Sequence, residues 1–232
     1  MNLVWLGMVA ATIATVVLAY LGWRYLWFAR DPPRHAPPEP GLVSPADGTV
    51  VYARRVGPGE DVITIKQGLA AKLVDIVGED VPAPKLVIGI FMSPFDVHYN
   101  RAPLTATVDR IIRHPGRGEN AHMGPMHWRT LIDRAPHYEN SVHIVQNERT
   151  VTRFVGHYGG EPLPFYVVQI GARTVNGIDS WIAPGERVGR GEKFGMIRIG
   201  SQVDLVVPAR PGLTVMVRPG QRVRGGETIL VR

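Results

Sequence analysis

A glycine–serine step near the carboxyl end of the chain is the strongest candidate for a reaction centre. Gly200 and Ser201 lie between two apolar runs of the kind that forms strands. Glycine leaves its own carbonyl unshielded and tolerates strained backbone angles, so the Ser201 hydroxyl could attack the Gly200 carbonyl and move the acyl group from nitrogen to oxygen. β-Elimination of that ester and loss of ammonia would leave a pyruvoyl group on residue 201, a ketone that accepts electrons. Because Gly-Ser pairs are also common in turns, this pair indicates such chemistry only when other residues support it.

Two further segments carry side chains that could move the serine proton. His98 follows a strand-like run in Phe91–Pro103, and histidine is the side chain that best transfers protons near neutral pH. Asp47 lies in Ser44–Gly48, and an aspartate beside a histidine orients the ring as a base for a serine hydroxyl. Asp47 also fits a purely structural role, since aspartate stabilises Pro-x-Asp-Gly turns.

Composition excludes several classes of site. The chain has no cysteine, which excludes disulfides, thiolate metal sites and cysteine nucleophiles. A zinc site made of His114, His122 and His127 remains as an alternative, but these spacings match no compact zinc motif, and we predict no metal. The net charge is +6, yet the basic residues are dispersed and no nucleic-acid-binding motif accompanies them. We therefore predict no nucleic-acid partner and expect contact with anionic lipid headgroups instead.

The other end of the chain predicts a membrane anchor. Leu3–Gly22 is a run of mostly apolar residues without a charged side chain, and as a helix it would span roughly 30 Å, the hydrocarbon thickness of a bilayer. Tyr20 and Trp23 suit its interfacial end, and Arg24 and later arginines predict that the following residues are cytoplasmic. A cleaved signal peptide is the alternative, but the segment has neither a basic start nor a clear cleavage site.

The rest of the chain divides into a linker and one domain. We assign residues 1–28 to the anchor, 29–40 to a linker that is stiff because of its prolines, and 41–232 to a catalytic domain. Short β-type runs dominate the domain; they are Thr49–Ala53, Val62–Ile65, Lys85–Phe91, Ser141–Val145 and Phe165–Ile170. Only residues 68–77 and 172–181 have a pattern compatible with helix. Residues 114–138 read as a long loop, a candidate substrate lid or membrane-facing flap.

An internal repeat refines the predicted fold. Residues 184–192 return with a similar sequence at 219–227, and each copy is followed by apolar β-type residues. Glycine turns at fixed offsets before strands are typical of paired hairpins in a small sandwich or barrel. We therefore predict a mainly β fold with few short helices (α+β) and a sandwich-like or barrel-like catalytic domain. Lipoyl and biotinyl carrier domains have similar hairpin repeats, but residues 199–217 contain no lysine to carry a cofactor.

Taken in order, the motifs resemble one enzyme family. Phe28–Arg34 after an apolar segment, Ser44–Gly48, Ser93–Pro103, Val168–Ala172 and Arg190–Ser201 are together similar to the short-form phosphatidylserine decarboxylases. Each motif alone is weak, but the ordered set covers nearly the whole chain and is specific.

The resemblance implies a pyruvoyl-dependent enzyme that cuts itself between Gly200 and Ser201. The products are a large chain (1–200) and a small chain (201–232) that remain together, and a higher oligomer is left open. The family's Asp–His–Ser triad carries over to Asp47, His98 and Ser201. The phospholipid amino group would form a Schiff base with the self-generated ketone, carbon dioxide would leave, and phosphatidylethanolamine would be released without a metal.

One departure and two alternatives accompany this resemblance. The longer bacterial enzymes have a second histidine where this chain has Arg101. Either His98 alone serves both self-cleavage and decarboxylation, or Arg101 clamps a carboxylate or phosphate of the substrate. The lipid tails could be diacyl or the ether-linked chains of an archaeal lipid. A membrane-tethered carrier-like module without catalysis would explain the anchor and the repeat, but not the ordered Asp, His and Gly-Ser motifs.

Overall fold

The structure, a computed structural model, describes residues 3–82, 84–173, 177–198 and 200–232. It is mainly β, as predicted, with an apolar N-terminal helix. The helices are α1 (Leu3–Gly22), α2 (Leu73–Val77), α3 (Gly124–Leu131) and α4 (His143–Gln146), and a π-helical segment covers Trp23–Phe28. The strands are β1 (Leu42–Val43), β2 (Gly48–Val56), β3 (Asp61–Lys66), β4 (Leu69–Lys72), β5 (Lys85–Met92), β6 (Tyr99–Arg101), β7 (Ala106–His114), β8 (Arg149–Tyr158), β9 (Glu161–Gly171), β10 (Ile178–Ser180), β11 (Arg187–Val188), β12 (Lys193–Ile197), β13 (Ser201–Pro208), β14 (Arg222–Val223) and β15 (Ile229–Val231).

An eight-stranded antiparallel sheet forms the body of the protein, in the order β11-β7-β8-β9-β13-β5-β2-β14. A three-stranded sheet, β10-β12-β6, packs beside it, and β1-β15 and β3-β4 form two short pairs. The large sheet curves into a half-barrel. Strand β13, which begins at Ser201, lies between β5 and β9 and is hydrogen-bonded to both.

Successive side chains along a strand point to opposite faces of the sheet, and in the large sheet both faces are apolar. Met92, Phe165 and Val203 belong to the core on one face, where the three-stranded sheet packs. Phe91 and Val206 belong to the core on the other face, together with α2, α3 and α4. Because both faces are covered, the central strands are almost uniformly apolar and their boundaries were predictable as continuous runs.

The two copies of the sequence repeat occupy the opposite edges of the large sheet. The first copy contains β11 and the second contains β14. Their turns meet, since a methyl group built on Gly226 would lie 3.5 Å from the Gly191 Cα. The repeat therefore brings the two edges towards each other, which explains the hairpin pattern predicted from the sequence.

Helix α1 projects from this body, and none of its side chains is buried. By length and composition the helical stretch Leu3–Phe28 could cross a membrane. The proline-rich residues that follow lie along the domain: Asp31 pairs with Arg101 and Lys193, and Arg34 pairs with Asp47 at 2.6 Å. These contacts tie the end of the helix to the domain.

Four local predictions need correction. Ser141–Val145 was predicted as a strand, but residues 143–146 form α4. The loop predicted over 114–138 contains α3, which has a proline in its first turn. The helix predicted over 68–77 is helical only from Leu73, after β4. The helix predicted over 172–181 is absent from the part of that stretch that is described, which includes β10; residues 174–176 lie outside the described residues.

Candidate active site

Ser201 opens the central strand of the large sheet. It pairs with Met92 of β5 on one side and with Gly171 of β9 on the other, and its side chain is fully buried. Its hydroxyl donates a hydrogen bond to the Met92 thioether sulfur over 3.3 Å. Sulfur is a weak acceptor. The backbone at Ser201 is thus held firmly on both sides while its hydroxyl stays free to react.

Gly200 precedes Ser201 with a φ of +67°. This left-handed conformation is disfavoured for residues with a Cβ. Among the described residues, a Cβ built on Gly200 would meet only the Ala172 Cβ, at an ordinary 3.7 Å. The backbone angle, rather than lack of space, therefore accounts for a glycine before the serine.

His98 is placed by a tight turn at the end of β5. The Asp96 N–H donates to the Ser93 carbonyl at 3.0 Å, and the Asp96 carboxylate accepts the Ser93 N–H at 2.8 Å and pairs with Arg222. The His98 Nδ1 lies 2.9 Å from the Asp96 carbonyl oxygen. A carbonyl only accepts, so Nδ1 carries the proton and Nε2 keeps its lone pair.

The His98 ring is fully buried, and its Nε2 has no hydrogen-bond partner within the described parts of the chain. Phe28, at the end of the π-helical segment, packs on the ring with 4.3 Å between centroids. Burial lowers the pKa of His98 from 6.5 to about 4, opposed by the Asp96 carbonyl and carboxylate, while the charge on Arg30 lowers it further. His98 is therefore a neutral imidazole at physiological pH.

Asp47 lies in a turn before β2 that is fixed by close packing. A Cβ on the following Gly48 would collide with the Phe91 carbonyl oxygen at 2.2 Å. The Asp47 carboxylate accepts the Gly225 N–H at 2.7 Å and pairs with Arg34. Burial raises its pKa above 3.8, and the Gly225 and Arg34 contacts oppose that rise.

The structure brings the three triad residues into one domain but not into one hydrogen-bonded chain. Among the residues described, His98 bonds neither the Asp47 carboxylate nor the Ser201 hydroxyl. His98 does lie close to the segment that leads to Ser201, since its carbonyl accepts the Ile197 N–H at 3.4 Å.

Arg101 is mostly buried and already engaged by the protein. Its guanidinium donates to Asp31 at 2.8 Å and to the Gly191 carbonyl at 3.0 Å. In this arrangement Arg101 connects the extended linker to the turn of the first repeat.

Two buried amides beside Ser201 were not predicted from the sequence. Asn100 lies in β6, two residues after His98, and its Nδ2 is 3.8 Å from the Met92 sulfur that Ser201 also contacts. Gln169 donates to the Asn100 Oδ1 at 2.8 Å, and its Oε1 has no partner among the described residues. Gln169 is diagonal to Ser201 across the β9–β13 pair, within reach of a long side chain. A polar residue inside a strand as apolar as β9 was the available signal.

A second polar cluster lies on the opposite face of β13. Gln202 accepts from His143 at 3.0 Å and donates to Tyr52 and Asp204, each at 2.7 Å. Burial raises the pKa of Asp204 from 3.8 to about 6 and lowers that of His143 to about 4. Because Gln202 directly follows Ser201, these hydrogen bonds hold β13 in place on the face opposite to the Ser201 side chain.

Comparison with known proteins identifies the family of the chain. The phosphatidylserine decarboxylase family model matches residues 21–231. A protein named as an archaetidylserine decarboxylase proenzyme from Methanopyrus kandleri is 34% identical over 208 residues, covering 89% of this chain and 80% of the relative. A phosphatidylserine decarboxylase proenzyme from Desulfotalea psychrophila is 34% identical (88% and 77% covered), and one from Erythrobacter litoralis is 33% identical (97% and 84%). The resemblance found in the motifs is confirmed, and the chain belongs to the phosphatidylserine decarboxylase family.

Proposed function

We propose that this chain cuts itself between Gly200 and Ser201 and then decarboxylates phosphatidylserine to phosphatidylethanolamine. The observation that carries the proposal is a serine hydroxyl whose one partner among the described residues is a thioether, placed directly after a left-handed glycine in a rigid central strand. A binding module without catalysis would not need this arrangement. The chain is a carboxy-lyase by family, as its sequence predicted.

Self-cleavage uses groups of the chain itself. The Ser201 Oγ attacks the Gly200 carbonyl carbon, the bond to the Ser201 nitrogen breaks, and the hydroxyl proton passes through His98 Nε2 to that nitrogen. Removal of the Ser201 Cα proton then expels the Gly200 carboxylate from Cβ. Addition of water and loss of ammonia leave the ketone at residue 201.

The neutral state of His98 suits it to accept protons. A pKa of about 4 makes His98 a weak base, but one whose lone pair is available at neutral pH and accepts no hydrogen bond from the part of the chain that the structure describes. The same neutral ring could accept a proton from the substrate ammonium and later deliver it to the carbon that loses carbon dioxide. One residue would then serve both stages.

The surroundings of residue 201 fit a small ketone. The Ser201 side chain is buried and contacts the Met92 thioether, and the Asn100 amide lies 3.8 Å from the same sulfur. Once formed, the ketone supplies an electron sink for departure of carbon dioxide. Asn100 and Gln169 orient groups at this position, and the free Gln169 Oε1 can accept a hydrogen bond from the substrate amine.

Asp47 and Arg101 are both bound by other residues of the chain, and this determines the roles that we propose for them. We retain Asp47 as a residue required for self-cleavage; to orient His98 directly, its carboxylate must leave Arg34. Arg101 remains a proposed substrate ligand, and to bind substrate its guanidinium must leave Asp31 and Gly191, which it contacts in the structure.

The setting we propose is a membrane surface. Helix α1 spans the bilayer once, the catalytic domain lies on the cytoplasmic side, and the domain occupies residues 41–232 after the anchor (1–28) and linker (29–40). The large and small chains stay together through the pairing of β13 with β5 and β9. The substrate is an anionic serine phospholipid.

Mass spectrometry of purified protein tests self-cleavage. We expect two chains, with the small one (201–232) lighter by one ammonia than the product of simple hydrolysis. Ser201→Ala should remain intact and inactive, and His98→Ala and Asp47→Ala should accumulate precursor. An active wild-type protein that is a single intact chain would refute the proposal, and normal cutting in His98→Ala would remove His98 from this step.

The name of one relative supports a second candidate substrate. Because the Methanopyrus kandleri protein is named for archaetidylserine, ether-linked serine lipids deserve a parallel assay. Release of carbon dioxide from matched diacyl and ether lipids, measured in the same micelles, separates the two.

A further inference from the structure

A shallow depression lies where the N-terminal helical segment meets the catalytic domain. Arg24 and Phe28 line it from the helical side, and Asp179, Trp181 and Arg198 line it from the three-stranded sheet and the segment after β12. Neither arginine has a part in the self-cleavage proposed above.

Its position corresponds to the headgroup level of a bilayer. Arg24 follows closely on α1, whose side chains are all unburied, so a bilayer that covers α1 ends near Arg24. Trp181 on the domain side is 51% exposed and Tyr25 beside Arg24 is 68% exposed. Exposed aromatic rings are typical of the membrane–water interface. A lipid in the same leaflet could present its headgroup here without leaving the bilayer.

The charges in the depression complement a serine phosphodiester headgroup. Arg198 donates through Nε and Nη2 to one Asp179 oxygen, at 3.1 and 3.0 Å, which leaves its Nη1 for another acceptor. Arg24 lies over the Phe28 ring at 5.7 Å and has no ion pair among the residues described. The depression thus offers two guanidinium groups and the Asp179 carboxylate. A phosphatidylserine headgroup carries a phosphate, a carboxylate and an ammonium group, which are complementary to these charges. Guanidinium groups bind phosphate strongly through charge-assisted hydrogen bonds.

The depression is also adjacent to the reaction centre. Phe28 forms part of its wall and also packs on the His98 ring, with 4.3 Å between the ring centroids. Arg198 belongs to the segment that leads from β12 to Gly200. A phosphate held by the two arginines would therefore place the serine end of the headgroup close to Phe28 and the His98 ring behind it.

We propose that this depression binds the phosphodiester of the serine phospholipid, with Arg24 and Arg198 as its cationic ligands and Phe28 as the wall between it and His98. The proposal rests on the decarboxylase function proposed above and identifies where that substrate is held. It gives the phosphate contact to residues other than Arg101.

Steady-state kinetics of the processed, full-length enzyme test this assignment. The variants are Arg24→Gln and Arg198→Gln, and the matched control is Arg55→Gln, an exposed arginine near the far end of β2. With phosphatidylserine in mixed micelles we expect KM to rise about tenfold for each of the two variants, equivalent to about 1.4 kcal/mol of lost binding. The kcat and the extent of self-cleavage should stay near wild type, and the control should leave KM unchanged.

Different outcomes test the decarboxylase function and the phosphate assignment separately. If wild-type enzyme releases no carbon dioxide from phosphatidylserine, the proposed function fails. If the wild-type enzyme does release carbon dioxide, but Arg24→Gln has the same KM as Arg55→Gln or is lowered in kcat alone, the phosphate assignment is overturned. Arg24→Gln decides even if Arg198→Gln does not fold, because Arg24 has no carboxylate partner in the described chain, whereas Arg198 holds Asp179. Arg198→Lys, which keeps the positive charge, should recover part of the affinity.

Soluble competitors distinguish a lipid headgroup site from a general phosphate site. Glycerophosphoethanolamine, the product headgroup without tails, should inhibit wild type competitively and about tenfold less strongly in Arg24→Gln. Inorganic phosphate should inhibit wild type more weakly. Equal inhibition by the two compounds would mean that the depression is an unselective anion site and would overturn its assignment to the lipid.

Discussion

Replacing Phe28 with alanine should change the pH dependence of self-cleavage. Phe28 is 3% exposed and lies on the His98 ring. Its removal admits water to the imidazole, so the pKa of His98 should rise from about 4 towards its ordinary 6.5. The charged groups near the ring, Asp96 and Arg30, stay in place and oppose each other.

The size of the effect follows from the two pKa values. At pH 5 a group with a pKa of about 4 is about nine-tenths neutral, whereas one with a pKa of 6.5 is about 3% neutral. Because only neutral His98 can accept the Ser201 proton, Phe28→Ala should cut itself up to about 30-fold more slowly at pH 5 and at nearly the parent rate at pH 7.5.

The assay follows conversion of freshly synthesised precursor to two chains by gel densitometry between pH 4 and 8. Phe28→Leu keeps an apolar side chain over the ring and should retain most of the parent profile, and Leu26→Ala, at an 80% exposed position of the same segment, should retain all of it. Loss of a buried Phe side chain can cost about 3–5 kcal/mol of stability, so folding at each pH is checked by circular dichroism. Identical acid limbs in folded Phe28→Ala and parent would refute the assignment of His98 as the base.

Three further predictions concern the backbone, the rear polar cluster and the anchor. Gly200→Ala should fold but cut slowly, because a Cβ at φ +67° costs about 1–2 kcal/mol and the carbonyl must shift; cutting at the parent rate would contradict this. In uncut Ser201→Ala protein, the added Asp204→Asn change should raise the unfolding free energy by up to about 3 kcal/mol at pH 7 and by little at pH 4, as measured by urea denaturation. Burial raises the pKa of Asp204 to about 6, so ionising Asp204 in the folded protein costs stability. This cost is absent below pH 3.8, grows between pH 3.8 and 6, and is fully present above pH 6. An equal difference at both pH values would exclude this cause. A chain without residues 1–22 should still cut itself and lose more turnover on bilayers than on micellar short-chain phosphatidylserine, and equal loss on both would mean that α1 belongs to the folded domain.

The sequence predicted most of the central sheet because its strands are buried on both faces. The predicted runs at 49–53, 85–91 and 165–170 lie within β2, β5 and β9. Continuous apolar runs between glycines and prolines are strong signals of such strands. The repeat was also informative, because the same turn chemistry is needed at both edges of a half-barrel.

Local pattern failed where a distant side chain decides the structure. Residues 143–146 have strand-type composition but form α4, and the Arg149 guanidinium binds the carbonyls of Ile144 and Asn147 near its end. Such capping by a side chain outside the helix satisfies carbonyls that the helix leaves free. Nothing within the short segment itself indicates that contact.

The candidate site was predictable in residue type but not in contacts. The motifs predicted Ser201 and His98 as candidates, whereas the neighbour that covers His98 is Phe28, which comes from the end of the predicted anchor. The sequence likewise indicated Asp47 without showing that Arg34 of the linker binds it. Contacts across such long separations depend on how the elements pack, and single motifs carry no information about them.

The position of β13 determines the order of events during biosynthesis. Residues 201–232 supply the strand between β5 and β9 and also β14 at one edge of the sheet. A large chain translated alone would expose two unpaired inner strands, which invite aggregation. The enzyme must therefore be encoded as one polypeptide and folded completely before its backbone is broken, so that synthesis from two separate messages should yield insoluble protein even when both sequences are correct.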